Sequence, residues 1–189
     1  MKIAIIIGSI RQGRQSQKIA VYLQDRLQAN GLDIDLIDLA ETPLPMLEER
    51  VGKHPQLPQV AQELSNRLHR ADAVIMVTPE YHGSFSGVLK NALDYFYSEF
   101  SRKVIGIVTV SAGKFGGINA ATQLQQVILS LGAFVLPAKL LVPEVYGAFS
   151  ATHELTSEHT LRSAQKFMDD FRWFASAIQE KKQQTTVNI

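Results

Sequence analysis

Nine residues near the amino end, Gly8-Ser9-Ile10-Arg11-Gln12-Gly13-Arg14-Gln15-Ser16, combine two hydroxyls and two guanidinium groups with two glycines. They lie between a short apolar run and a segment of helical spacing. A helix N-terminus carries unpaired N–H groups and a partial positive charge, which makes it an anion site. Ser9 and Ser16 add hydroxyl donors, while Arg11 and Arg14 add forks that suit a phosphate bidentately. Charge-assisted hydrogen bonds contribute about 1.5–3 kcal/mol each, so several could hold a dianionic phosphate without a metal. The competing reading is a tight turn flanked by two solvated arginines. Gly8 and Gly13 have the spacing of a P-loop, but Arg14 and Gln15 stand where that motif needs Lys and Ser or Thr. Nucleoside triphosphate hydrolysis is therefore a poor fit, and the G-x-G-x-x-G dinucleotide fingerprint is absent. The loop suits a phosphate monoester.

A second loop, Thr78-Pro79-Glu80-Tyr81-His82-Gly83-Ser84, precedes Phe85-Ser86-Gly87-Val88-Leu89-Lys90-Asn91-Ala92-Leu93-Asp94. Gly83 has no Cβ, so a flat ring could approach its backbone closely. Tyr81 could pack on such a ring or serve as a surface or interface tyrosine. His82 reads as a backbone-positioned loop residue in preference to a general acid, and Glu80 as a hydrogen-bond acceptor in preference to a base. The third loop, Ser111-Ala112-Gly113-Lys114-Phe115-Gly116-Gly117, is glycine-rich. It needs backbone conformations closed to other residues, or a ligand pressed against the chain, or it is simply a flexible turn. Lys114 either attracts an anionic substrate or sits in water.

These loops punctuate alternating strands and helices. Ile3–Ile7 is a β-branched run ended by Gly8, as expected of a strand covered on both faces. Ser16 can cap a helix whose inner stripe is Ile19, Ala20, Leu23 and Leu27, with Gly31 as its stop. Ile34–Ile37 reads as a second strand, and Pro43 and Pro45 mark a loop within an irregular stretch over residues 40–56. Pro58–Arg70 has Val60, Leu64 and Leu68 on one helical stripe. Ala73–Val77 predicts a third buried strand ended by Thr78-Pro79, after which Ser84 or Ser86 opens a helix buried through Val88, Leu89, Ala92, Leu93 and Phe96. Val104–Val110 is the fourth strand and Ile118–Leu131 the next helix, ended by Gly132. Phe134–Val135 with Leu140–Val142 predicts a fifth strand interrupted at Pro137, Leu155–Ile178 a closing helix, and Lys181–Ile189 a frayed tail. Such alternation implies a parallel sheet wrapped on both faces, with ligands beyond the carboxyl ends of the strands. The unusual loops follow the first, third and fourth strands, as that rule requires.

Composition bounds the function. With 189 residues, 46% of them apolar and 20% charged, one ordinary globular domain is expected. A net charge of +1 gives no general pull toward nucleic acid or an anionic membrane. The absence of cysteine excludes disulfides, thiolate metal sites, iron–sulfur clusters and a cysteine nucleophile. His54, His69, His82, His153 and His159 show no paired spacing suited to a metal. The apolar start lacks a long core and a small-residue cleavage site, so it reads as a strand and not a signal peptide, and no segment approaches membrane-spanning length. A cytoplasmic location is the default.

Together the three loops resemble the NADPH-dependent FMN reductase family, which includes flavin, quinone, azo-dye and chromate reductases. The resemblance covers roughly residues 1–150 and rests on G-S-x-R-x-G, P-E-Y-H-G-S-x-x-G-x-L-K-N-A-L-D and S-x-G-x-x-G-G, in that order. It implies an α/β, three-layer, flavodoxin-like fold: a doubly wound five-stranded parallel sheet of order 2-1-3-4-5, in one FMN-binding domain over residues 1–180 with a flexible tail at 181–189. By the same resemblance, Ser9, Arg11, Arg14, Gln15 and Ser16 surround the FMN phosphate. Pro79, Glu80, Tyr81, His82 and Gly83 border the isoalloxazine, with main-chain N–H groups near N5 and O4, while Ser111, Gly113, Gly116 and Gly117 close the other side. Family members commonly have Asn where this chain has His82, and often Ser where it has Arg14. Arg14 then either strengthens phosphate binding or points outward to the phosphates of the nicotinamide nucleotide.

The implied activity is hydride transfer from NADPH or NADH through FMN to a flavin, quinone or similar small-molecule acceptor, with no catalytic side chain and no metal. An electron-carrying flavodoxin is the first alternative, opposed by the net charge of +1 because such carriers are usually strongly acidic. A non-catalytic module that binds another phosphate ligand is the second. The resemblance further implies a homodimer or homotetramer. Tyr95, Tyr97, Phe96 and Phe100 exceed what one helix needs for its own core, which fits an interface, although a locally thick core would look the same.

Overall fold

A computed structural model describes residues 1–53 and 56–187, with side chains through Gln184; His54, and with it one of the five histidines weighed as metal ligands, lies outside the described residues. The parallel sheet is built from β1 (Lys2–Ile7), β2 (Asp33–Asp38), β3 (Ala73–Tyr81), β5 (Val104–Val110) and β6 (Phe134–Val142), in the order β2-β1-β3-β5-β6. A two-residue strand, β4 (Ser84–Phe85), pairs antiparallel with the end of β3, so the expected five-stranded order holds and a short hairpin is added to it. The helices are α1 (Ser16–Ala29), α2 (Gln59–Arg70), α3 (Gly87–Tyr95), α4 (Ile118–Ser130) and α5 (Glu158–Val187).

The central strands β1, β3 and β5 are rich in apolar residues because both faces of the sheet are covered. Side chains alternate across a strand. Ile3, Ile5, Ile7, Ile75, Val77, Val104 and Val108 accordingly face α1 and α5, where Ile19, Leu23, Leu27, Phe167 and Phe171 meet them. Ala4, Ile6, Val74, Met76, Ile105 and Ile107 face α2, α3 and α4, against Leu64, Leu68, Leu89, Leu93, Leu124 and Ile128. Three of the four aromatic residues read as surplus belong to this second core: Tyr95 and Phe96 are 2% exposed and Phe100 is fully buried. The interface reading fails for them, and only Tyr97, at 57% exposure, faces outward.

Four local expectations are corrected. Pro79 does not end β3. The strand continues through it to Tyr81, pairing Thr78 with Thr109 and Pro79 with Val110. Pairing to β1 stops at Ile7 and Val77, so past that point Pro79 has a sheet edge on one side and its missing N–H leaves no gap in the ladder. Pro137 does not interrupt β6 either. The register slips between Ile105–Val135 and Ile107–Lys139, and the bulge so formed takes up the proline. Ser16 is not the N-cap of α1; Gln15 holds that position and makes no side-chain capping bond. The closing helix starts at Glu158, because Leu155 forms an isolated bridge with Phe149. Its helical backbone then runs to Val187. Ser86, and not Ser84, caps α3, with Oγ accepting from Leu89 N. Among the described residues no helix is long and apolar enough to cross a membrane.

Candidate functional site

The loops after β1, β3 and β5 meet at the carboxyl end of the sheet. They enclose a cleft of about 150 Å³ that includes Ser9, Arg11, Arg14, Ser16, Tyr81 and Tyr146. Its base is rigid. Gly8 N donates to Val77 O at 2.7 Å, and Ser86 Oγ donates to Gly8 O, so the first loop leaves β1 pinned to β3 and to the start of α3. A Cβ on Gly8 would lie 2.9 Å from Leu89 Cβ, which is why only glycine lets α3 approach this closely.

The first loop presents its donors inward. Ser9 is 1% exposed, with Oγ 3.4 Å from the Tyr81 hydroxyl. Ser16 is fully buried in the first turn of α1, and its Oγ has no hydrogen-bond partner. Arg14 Nε is likewise buried and unpartnered, while Arg14 Nη2 pairs with Asp38 at the end of β2. Asp38 is 6% exposed and also accepts from Ala40 N at 3.0 Å, so the guanidinium is fastened on its β2 side and its Nε is left over. Buried polar atoms are nearly always satisfied, so two orphan donors at one helix N-terminus mark a place made for an acceptor. The donor set is hydroxyl, guanidinium and helix amides, which matches a phosphate group and fits the FMN phosphate. Arg11 is exposed at the cleft mouth, and Gln15 Nε2 is turned back to Gly13 O at 2.8 Å, away from that role.

The second loop is a hairpin whose turn is His82 (φ 50°) and Gly83 (φ 75°). Two left-handed residues in succession are the two-residue turn that matches strand twist. A Cβ on Gly83 would find no atom within 4 Å, so one face of this backbone is open. The His82 side chain is exposed and makes no contact that would support acid–base work among the described bonds. Glu80 is an acceptor, as expected: its Oε2 takes Asn119 N and Ala120 N, each at 3.1 Å, at the start of α4.

The third loop folds back on β5 and β6. Gly113 N bonds Ser111 Oγ at 3.1 Å, and Thr109 Oγ1 donates to Gly116 O at 2.7 Å. Gly116 (φ 59°) and Gly117 (φ 87°) are left-handed, and Cβ atoms there would lie 2.9 Å from Leu141 Cβ and Thr109 Cβ respectively. Close packing, and not flexibility, is what these two glycines provide. Gly113 is exposed and uncrowded, and Lys114 and Phe115 are exposed.

The structure therefore gathers Ser9, Arg11, Arg14, Gln15, Ser16, Pro79, Glu80, Tyr81 and Ser111 around one cleft, with His82 and Gly83 at the adjoining turn. Gly116 and Gly117 stand behind it as framework. Sequence reasoning missed Asp38, Val145, Tyr146 and Gln123. The pairing of Arg14 with Asp38 spans 24 positions and follows no motif. Gln123 lies on a helix face that reads as ordinary solvent-facing surface. A larger groove of about 1110 Å³ continues from the first loop along α1, past Lys18, Tyr22 and Arg26.

Residues 1–147 match the model of a family described as NADPH-dependent FMN reductase. An FMN-dependent NADPH-azoreductase of Staphylococcus haemolyticus is 33% identical over 147 residues, covering 74% of this chain and 76% of that protein. Among solved structures, FerB of Paracoccus denitrificans, described as a flavoenzyme NAD(P)H:(acceptor) oxidoreductase, superposes with a TM-score of 0.77 at 26% identity, covering 95% of this chain and 97% of that one. A Streptococcus pneumoniae flavodoxin shares the fold, with a TM-score of 0.60 at 17% identity over 91% of this chain and 98% of its own.

Proposed function

The chain belongs to the NADPH-dependent FMN reductase family, and from that premise we infer an FMN-dependent NAD(P)H oxidoreductase that reduces a small acceptor such as a flavin, quinone or azo compound. When bound, FMN supplies the redox chemistry, accepting hydride from NAD(P)H and passing reducing equivalents on. The observation that carries the reading at this chain's own residues is the pair of buried, unpartnered donors, Ser16 Oγ and Arg14 Nε, at the head of α1.

In this reading Ser9, Ser16, Arg14 Nε and the first amides of α1 hold the phosphate, and Arg11 closes over it from the cleft mouth. Asp38 keeps Arg14 in place and offsets part of its charge. Pro79 to Gly83 would border the ring, and Ser111 would bound the opposite side, with Gly116 and Gly117 behind it as framework. Backbone N–H groups of the hairpin turn would supply preorganised donors to a bound ring, a role that needs no titrating side chain. Tyr81 and Tyr146 line the cleft walls. A single open cleft would serve nicotinamide and acceptor in turn, which predicts ping-pong kinetics. A homodimer or homotetramer in the cytoplasm is part of the proposal.

The test is a visible spectrum of the purified protein with FMN, followed by anaerobic titration with NADPH and NADH and then with menadione or an azo dye. The expected result is a bound flavin spectrum, bleached by at least one nucleotide and restored by acceptor. A protein that takes up no FMN overturns the reading, and one whose bound FMN neither nucleotide reduces is a carrier.

A further inference from the structure

We propose that α4 is the positioning element for the His82–Gly83 turn, with Gln123 as the clamp and Glu80 as its anchor, and that this clamp sets the affinity and potential of the bound ring. The inference rests on the FMN reading above. The hairpin has only two pairs, Glu80–Phe85 and Tyr81–Ser84, and a two-stranded ribbon of this length does not hold its own shape. Its turn also places the non-glycine His82 at φ 50°, a conformation that needs support from outside.

That support comes from one face of α4. Gln123 Nε2 donates to Gly83 O at 2.7 Å, and Gln123 Oε1 accepts from Ser84 Oγ at 2.7 Å, so a single amide side chain holds both the turn and the strand that leaves it. One turn earlier, Glu80 takes the amides of Asn119 and Ala120 and, through Oε1, Asn119 Nδ2 at 3.4 Å. The N-cap residue of α4 is Gly117, which has no side chain for the purpose, so Glu80 caps the helix from the hairpin. The hairpin is thus tied to α4 at its base and at its tip. With Gly83 O drawn to α4, the turn is held in one place, and a Cβ on Gly83 would still meet no atom within 4 Å, which leaves that side of the backbone open to a ring. Gln123 belongs to neither core; it is exposed, and among the described residues its hydrogen bonds go to the hairpin.

The experiment uses the full chain with Gln123→Ala, Gln123→Glu and, as a phosphate control, Arg11→Ala. In apoprotein, amide exchange over residues 80–85 is expected to quicken in both Gln123 variants while the thermal midpoint stays at the wild-type value. Loss of one or two hydrogen bonds should weaken FMN and riboflavin equally, by about tenfold, whereas Arg11→Ala weakens FMN alone. Gln123→Glu keeps the Ser84 bond but sets a carboxylate against Gly83 O, so its effect should exceed that of Gln123→Ala. The midpoint potential of bound FMN is expected to fall, since loosened donors stabilise the reduced ring less. Wild-type exchange together with wild-type affinity for both flavins in the Gln123 variants overturns the clamp. A wild-type protein that binds no flavin sinks the functional reading instead, while the exchange data still report on the clamp.

Discussion

Ser16 carries a cost in the protein without ligand. A buried hydroxyl with no partner destabilises the fold by about 1–3 kcal/mol relative to a satisfied one. Replacing it with alanine should leave the apoprotein as stable or more so, while weakening FMN by about tenfold through loss of a hydrogen bond to the phosphate. Thermal melts with and without FMN check both signs; a variant that melts lower without ligand and binds FMN normally would make Ser16 structural. Arg11 separates binding from folding more simply, being exposed. Arg11→Ala should raise the FMN dissociation constant about tenfold or more and leave the melting point alone, as measured by quenching of flavin fluorescence. At this scale most of the site was legible. Ser9, Arg11 and Ser16 declare themselves by type and by position before a helix. Arg14 was named too, but its pairing with Asp38 was not, because a carboxylate at the end of a neighbouring strand leaves no mark near residue 14.

Elements are joined by contacts whose strength depends on geometry. α2 is fastened to the edge strand β2 by Arg67, which meets Asp35 through Nη2 at 2.5 Å and Nε at 3.1 Å and also donates to Leu36 O. The Arg67 guanidinium holds the Asp35 carboxyl below its ordinary value of 3.8 against the opposing effect of burial. A carboxyl so lowered contributes stability that is complete above its unfolded value and is lost as pH falls through the folded one. Asp35→Asn should therefore cost about 1 kcal/mol at pH 7, with the gap to wild type closing in acid; urea unfolding across that range is the check. At the other end of the sheet, Gly117→Ala would place a Cβ 2.9 Å from Thr109 Cβ at φ 87°. The loss should be about 1–3 kcal/mol, read by denaturant midpoint. Element types were legible in the sequence almost throughout, since the apolar period distinguishes strand from helix. The prolines misled, because whether a missing N–H matters depends on what lies beside the strand. Pro79 is past the end of β1, and Pro137 sits at a bulge.

Over the whole molecule, two cores on opposite faces of one sheet make a rigid floor, and the candidate site lies in the loops at one end. The opposite end carries a buried amine. Lys103 lies beneath the last turn of α2, donating to Leu68 O and to His69 O at 3.4 Å, and burial draws it down to about 8 from 10.5, with Lys182 adding to the fall. Because the folded value lies below the unfolded one, the unfolded chain binds more protons between them, and stability rises as pH climbs through that window. The unfolding free energy should increase by about 1–3 kcal/mol from pH 8 to 10, and Lys103→Met should flatten the curve. Burial raises the Tyr95 phenol, and ionisation of that phenol in the unfolded chain opposes the rise above its ordinary value of 10.0, so the slope is to be read below that pH.

The sequence by itself determined the layer order, the strand path through the sheet and the three loops at one end of it. The layers and the loops follow from the alternation of strand and helix periods and from where ligands bind in such sheets, whereas the strand path was implied by the family resemblance. Tertiary structure alone decided which donors are left without partners, that Arg14 answers to Asp38, and that Gln123 reaches across to Gly83. Those are facts about atoms brought within 3 Å of one another from distant parts of the chain. Hydrogen bonding depends on such distances and angles, and no pattern of residue types along the chain encodes them.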